Sequence, residues 1–519
     1  MLRAGVPGIV ASPTGLAAAA ASAVLVLGWR GADWPAQLYR IGLCDRDGFA
    51  LWNSHWYGGH PTLTYSVLYP MVAALLSPGV LAVVSAASST LCFQHLLRLQ
   101  FRAQGVRVPA SWFAVATVAH VAVGRLTFLF GVTFGLAALV AALHRRHGLA
   151  LAGSAAAALT SPVAAVCLVI AWGAWAVTSR RVWPCALAGA AAAPVLLLAV
   201  AFPSDGVFPF GAAAAAWALT STLVAWALVP SRQRELRAGL LLYAGAVLVI
   251  FAVPTPLGAN LTRLGATFLA PVLWCAASRR GRLVVLLLGA LTWVQWSPAI
   301  DAVARAGQDP SAHEEYHRPL VDELLRRGAA SARVEIPFTR RHWEAHHVAA
   351  AVPLARGWER QLDIVRNPQF YEPGLTAADY GAWLRENGIR FVALADAPLD
   401  PSAEEEAALL RRGLPFLRPV WANAHWQLWE VVGSPALVVG PAVVVAQHAD
   451  EVVLDVREPG PVEVRVRWSS HWSVPGPACA EETAAGWTRL EGVNHGRVVL
   501  RHVVARTLPG GGPNLCVGQ

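Results

Sequence analysis

The chain contains no lysine, and all 41 of its basic residues are arginine. With alanine, glycine and valine abundant, that bias fits a GC-rich genome better than a physical need for guanidinium groups. Charge of either sign is scarce, at 14% against 55% hydrophobic residues, and the mean hydropathy is +0.46. Soluble domains carry about a quarter charged residues, so most of this chain is built for a different solvent. Cysteines are few, and five of the seven (Cys44, Cys92, Cys167, Cys185, Cys275) lie in or near the apolar part without metal-ligand spacing. No nucleic-acid motif occurs, which removes that class of partner despite the net charge of +9.

What is present instead is a succession of apolar runs over the first three-fifths of the chain. They fall at Val6–Gly28, Gly79–Leu97, Pro109–Val123, Leu126–Leu143, Leu149–Thr160, Val163–Val177, Pro184–Phe202, Gly211–Val229, Ala238–Val253, Leu264–Ala277 and Leu283–Trp296. Hydrocarbon cannot hydrogen-bond a backbone, so such runs predict bilayer-spanning helices. Several are shorter than the ~20 residues of a straight span and predict tilted, broken or re-entrant helices. The expectation is a polytopic all-α membrane bundle of about 11 spans over residues 1–298.

The arginines choose the orientation. With the amino terminus inside, the inner connections carry Arg98, Arg102, Arg107, Arg145, Arg146, Arg180, Arg181, Arg232, Arg234, Arg237, Arg279, Arg280 and Arg282, opposed only by Glu235. The positive-inside rule is then satisfied at every inner loop, and the excess charge meets anionic lipid headgroups. The first run lacks a convincing A-x-A cleavage site and reads as an anchor. An odd number of spans delivers everything after Pro298 to the outer face. The expected location is the cell membrane, multi-pass, with a cytoplasmic amino terminus and an extracytoplasmic carboxy-terminal region.

The outer connections hold the chemistry. The first sets Asp33, Asp45, Asp47, His55 and His60 among Trp34, Trp52, Trp56 and Tyr57. Acids and imidazoles among aromatic faces suit a saccharide, although Trp and Tyr also form the belts of any membrane interface. Asp33 closely follows the first helix and is placed to act as general base on an acceptor hydroxyl; an ordinary interfacial acid is the plainer alternative. Asp45-Arg46-Asp47 has the D-x-D form that can hold a divalent cation, unless Arg46 simply pairs with a neighbouring acid. Later turns are short: GRLTFLFG carries Arg125, LTSPVAA breaks at Ser161-Pro162, FPSDGVFPF carries Asp205, and VPTPLGANLTRLG carries Asn260 and Arg263. Arginine at membrane depth is costly unless paired or facing water, and guanidinium grips phosphate bidentately. Arg125 and Arg263 are therefore candidate phosphate ligands, with Asp205, Asn260, His55 and His60 as further candidate substrate contacts. A salt bridge from either arginine to Asp33 or Asp205, or a snorkelling contact to lipid phosphate, is the structural alternative.

A long acidic first outer loop, many spans with re-entrant pieces and an outer carboxy-terminal region together resemble the GT-C class of glycosyltransferases, which use polyprenyl-phosphate sugars. The segments GRLTFLFG, FPSDGVFPF, TPLGANLTRLG, ARGWERQLD and YGAWLRENGIRFVAL more closely resemble a family of uncharacterised actinobacterial integral membrane proteins, over most of the chain. The GT-C likeness implies a catalytic acid in the first outer loop, a position that Asp33 matches and for which Asp45 and Asp47 compete. Beyond Asp205, no second acidic motif of that class stands in the later outer loops, which leaves donor sugar and metal dependence open.

After Pro298 the periodicity changes. RVEIPF, IRFVALAD and HWQLWEVV read as strands, while TAADYGAWLRENG and PSAEEEAALLRRG read as amphipathic helices ending at Gly388 and Gly413, which together predict an exterior α/β domain over 299–432. Over 433–519, ALVVGPAVVVAQ, EVVLDVRE, VEVRVRW and RVVLRHVVA alternate as in a β-sandwich. Cys479 and Cys516 stand alone there, and an oxidising exterior would let them pair. This region has neither a phosphate-binding glycine loop nor a nucleophile elbow. HWEAHH lacks the H-E-x-x-H order of zinc hydrolases and reads as a surface helix turn. ARGWERQLD is expected to dock on the membrane part or touch glycan, and RWSSHW, with Trp468 and Trp472, to bind sugar or build the sandwich.

The leading functional expectation is transfer of a sugar from a polyprenyl-phosphate donor to a glycan or other cell-envelope acceptor at the outer face. Asp33 is the base, and a divalent cation is the only cofactor in view. A transporter or lipid flippase is one alternative, since broken helices also build transport sites; a non-catalytic envelope scaffold is another.

Overall fold

Side-chain caps and left-handed turns set the helix boundaries in the apolar part. Ser12 accepts a hydrogen bond from the Gly15 amide and Pro13 follows, opening the helix Pro13–Val26; Ser161 and Pro162 repeat the device at the start of Pro162–Ser179. Gly124, at φ +97°, ends Arg107–Val123 and lets the chain reverse into Leu126–Leu143. The computed structural model describes residues 12–101, 105–203, 206–276, 282–304, 309–503 and 516. Asp205, the inner arginines Arg102, Arg279 and Arg280, and the start of the run Val6–Gly28 lie outside these residues. The chain divides into two units, Met1–Gln37 with Leu63–Gln308 and Leu38–Thr62 with Asp309–Gln519.

The first unit is helical. Among the described residues, five of its helices are long and apolar enough to cross a membrane: Pro78–Phe101, Leu126–Leu143, Pro162–Ser179, Trp183–Ala201 and Arg234–Ala252. Pro13–Val26, Arg107–Val123 and Ala212–Leu228 are apolar but shorter. The chain is thus a membrane protein with a helical first unit. On Trp183–Ala201, Leu196, Leu197 and Val200 are exposed, an apolar face that suits hydrocarbon rather than water. Small residues bring the helices close: a Cβ on Gly131 would stand 2.8 Å from that of Ala164, and one on Gly153 would stand 3.0 Å from that of Ala138. Ser85, Ser89 and Thr90 return their hydroxyls to carbonyls one turn back, so they sit in the interior without an unmet donor. The run Leu264–Ala277, one of the short runs expected to be tilted, broken or re-entrant, is broken, with the π-helix Gly265–Leu269 and the helix Ala270–Ala276 following the turn Gly258–Leu261.

The second unit contains a small hairpin, an α/β layer and two further sheets. The hairpin pairs β1 (Trp52–Asn53) with β2 (His60–Pro61). Strands β3 (Arg333–Glu335), β4 (Ile389–Ala395), β5 (Leu417–Ala422) and β6 (Trp426–Val431) form a sheet in the order β3-β4-β6-β5, parallel only between β3 and β4. Helices Ala377–Glu386 and Glu404–Arg412 supply Tyr380, Leu384, Ala407 and Leu410 to the same core as Ile389 and Val392.

The remaining strands are β7 (Val438–Val439), β8 (Ala442–Gln447), β9 (Glu451–Val456), β10 (Val462–Arg467), β11 (Trp472–Ser473), β12 (Cys479–Glu482), β13 (Trp487–Glu491) and β14 (Gly496–His502). They form two four-stranded antiparallel sheets, β12-β13-β10-β7 and β11-β14-β9-β8. Alternate residues turn inward, so that Leu454, Val464, Trp472, Leu490 and Leu500 meet in one core drawn from both sheets. Cys479 and Cys516 are joined by a disulfide with their Cα atoms 4.9 Å apart.

Three expectations change here. The aromatics of the first outer connection are neither an interfacial belt nor a sugar platform, because Trp52, Trp56 and Tyr57 are buried inside the second unit. Trp52 enters the sandwich core, 5.0 Å from the His502 ring and stacked on it. ARGWERQLD is also interior: Arg356 is buried and pairs with Asp363 at 2.7 Å, Glu406 at 3.4 Å and Glu335 at 3.7 Å, between the faces of Phe338 and Phe370. Glu359 of the same motif takes Arg40 at 2.7 Å. HWEAHH is not a surface turn, since His342 and Glu344 are each 1% exposed. Of the two readings of RWSSHW, Trp472 follows the structural one: it is wholly buried and donates its indole N–H to the Arg467 carbonyl.

Candidate functional site

Two glycines bring Asp33 and Arg125 together. A Cβ on Gly31 would lie 2.9 Å from the Ala122 carbonyl oxygen, and one on Gly124 would lie 2.5 Å from the Trp34 amide nitrogen. Without side chains at these positions the two backbones touch. Gly31 N donates to Ala122 O at 2.7 Å, Asp33 N to Val123 O at 3.1 Å, and the Trp34 indole to Val121 O at 2.8 Å. Asp33 is thereby fixed beside the turn that carries Arg125, with Oδ2 3.9 Å from Arg125 Nε. Both side chains retain some exposure, 33% for Asp33 and 25% for Arg125.

A second arginine joins them. The turn Gly258–Leu261 and the short helix Thr262–Leu264 set the Arg263 guanidinium 5.7 Å from the Phe128 ring centroid. Arg263 and Arg125 lie within electrostatic reach of each other and of His120. His120 is buried in Arg107–Val123, with Nε2 2.9 Å from Thr267 Oγ1 and its ring edge-on to Phe128 at 5.1 Å. Thr267 belongs to the π-helix Gly265–Leu269, a geometry often retained at functional sites. Gln37 donates to the Tyr65 hydroxyl at 2.8 Å, and Tyr65 also lies within electrostatic reach of Arg125. Asn260 lies in the turn just before Arg263.

The structure therefore brings together Asp33, Arg125 and Arg263, with Asn260 close in sequence to the last. Asp205 falls outside the described residues. His55 and His60 belong to the second unit and are occupied there. The His55 ring faces the Ala349 carbonyl at 3.1 Å, and His60 stacks on Trp56 with Nε2 3.2 Å from Asn53 Nδ2. Burial, with Arg40 and Arg366 nearby, pushes the His60 imidazole down to about 3. His60 is thus closed off, while His55 is half-buried with its ring nitrogens set against the carbonyls of Ala349 and Gln447.

Asp45 and Asp47 are exposed in the last turn of the helix Trp34–Asp47. Residues two apart on an α-helix diverge by about 200°, so this D-x-D does not converge on one cation. Among the described residues, no group of three or more His, Cys, Asp or Glu side chains is arranged to hold a metal ion. His120 and Thr267 were absent from the sequence-based candidates. An imidazole inside the apolar run VATVAHVAVG was a usable signal; Thr267 offered none.

No protein-family model matches the chain, and no curated protein matches it. Among solved structures it is similar to the arabinofuranosyltransferase AftD from mycobacteria, at 15% sequence identity and a TM-score of 0.43. The match covers 86% of this chain and 41% of that one.

Proposed function

We propose that the chain is a membrane glycosyltransferase of GT-C type that moves a sugar from a polyprenyl-phosphate donor to a cell-envelope acceptor on the outer face of the membrane. The observation that carries this is the meeting of one partly exposed carboxylate with two arginines at helix turns. In the reaction, the acceptor hydroxyl oxygen attacks the anomeric carbon, the bond from that carbon to the phosphate oxygen breaks, and Asp33 takes the hydroxyl proton. Arg125 and Arg263 hold the polyprenyl phosphate as it leaves with its extra negative charge. The inner-loop arginines support a cytoplasmic amino terminus.

The Asp33–Arg125 ion pair also suits a scaffold whose charges only hold helix turns together. Reconstitution in vesicles with a polyprenyl-phosphate sugar separates the two. Transfer by the native chain and its loss in Asp33→Asn is the expected result. Full transfer by Asp33→Asn removes Asp33 as the base, and absence of transfer from the native chain with any donor favours the scaffold.

A further inference from the structure

The site contains more hydrogen-bonding capacity than its described protein partners use. Arg125 Nε and His120 Nδ1 are both buried without a hydrogen-bond partner among the described residues, and His120 is only 5% exposed. A buried polar atom left unmatched is costly, so two within one cluster point to a ligand that supplies acceptors. Electrostatics give that ligand its sign, since Arg125 lies within reach of a second cation, Arg263, and of one described carboxylate, Asp33.

The second imidazole nitrogen fixes what the first can do. His120 Nε2 lies 2.9 Å from Thr267 Oγ1, and the π-helix places that hydroxyl inside, where Thr267 is 1% exposed. A neutral imidazole has one donor and one acceptor nitrogen. If the threonine hydroxyl donates to Nε2, the proton resides on Nδ1.

We propose that His120, oriented by Thr267, is a third ligand of a phosphate group, donating from Nδ1 to a phosphoryl oxygen beside Arg125 and Arg263. This rests on the glycosyltransferase proposal and extends it: the pocket recognises the phosphate of the lipid carrier, with or without its sugar. His120 is a binding group and Thr267 a positioning residue.

The test measures binding of farnesyl phosphate and of farnesol to the full chain in detergent, because only the phosphate should engage His120. The native chain is expected to favour the phosphate. Loss of one hydrogen bond from a neutral imidazole to the phosphate anion should lower the phosphate affinity of His120→Phe by at least about tenfold and leave farnesol binding unchanged. Thr267→Val should do the same by releasing the imidazole, and Thr267→Ser should restore binding by returning the hydroxyl. The Thr267 pair keeps the test decisive if His120→Phe does not fold. Undiminished phosphate preference in Thr267→Val, with Arg125→Ala weakened, overturns the role of His120 and leaves the glycosyltransferase proposal standing. No phosphate preference in the native chain overturns both.

Discussion

Arg125 Nε stands 3.9 Å from Asp33 Oδ2, an ion pair without a hydrogen bond. The pairing sets carboxylate and counter-charge side by side, yet it leaves the guanidinium Nε–H unspent. A locked bidentate salt bridge would have used both groups.

That arrangement predicts different kinetic losses from the two residues. Asp33→Asn should lower kcat by about 100-fold or more, the usual scale for a general base, with donor binding retained. Arg125→Ala should raise the KM for donor, because a charge-assisted phosphate contact is present before as well as during reaction. Initial rates over a range of donor concentrations distinguish these outcomes.

A backbone prediction follows from Gly124. Its φ is +97°, and an added Cβ would sit 2.5 Å from Trp34 N and 2.8 Å from Asp33 C, both backbone atoms. Gly124→Ala should therefore shift Asp33 and destabilise the chain by at least about 1 kcal/mol. Gly148→Ala is the control, since nothing lies within 4 Å of the new methyl. Thermal unfolding and transfer activity should fall together in Gly124→Ala and neither should fall in Gly148→Ala.

Much of the first unit was legible because apolar runs and their breakers are local. The Leu126–Leu143 run has the same limits as its helix, and Ser161-Pro162 marks a helix start. Arg125 and Arg263 stood out as charges in tight turns between such runs. Burial was not local information. Trp52 and Trp56 have the composition of an interface belt but lie inside the second unit, and Asp45 and Asp47 look chelating only until the helix separates them. Thr267 depends on a π-helix, whose extra residue is not announced by Gly265–Leu269. Strand β5 was also missed, because Pro419 interrupts its apolar pattern.

The Cys479–Cys516 disulfide closes a separation of 37 residues. In the chain-entropy model such a loop contributes ~3–4 kcal/mol. Replacing both cysteines by serine should lower the unfolding temperature of the second unit and leave the helix content of the first unchanged. Equal unfolding temperatures with and without the bridge would remove its stabilising role.

The last prediction concerns pH. Burial pushes the Glu344 carboxyl up to about 8 from 4.5, and Glu335 well up in the same sense. As pH rises above ~4.5, the unfolded chain releases these protons while the folded chain keeps them, so stability falls through to about 8 for Glu344. Buried histidines act in the opposite direction: burial lowers His342 to about 4 and His317 and His502 to about 3. Below ~6.5 the unfolded chain takes up protons that the folded one refuses, so stability falls as pH falls. Above ~6.5 only the carboxyl slope remains, and the second unit should lose stability steadily toward pH 8. Glu344→Gln imitates the protonated acid and should make that alkaline slope shallower, Glu335 supplying the remainder, while leaving the acid slope in place. Denaturant titrations of the full chain across this range, followed by near-ultraviolet circular dichroism of the buried tryptophans, measure both slopes. An alkaline slope identical in Glu344→Gln would show that Glu344 is not the group that holds the proton.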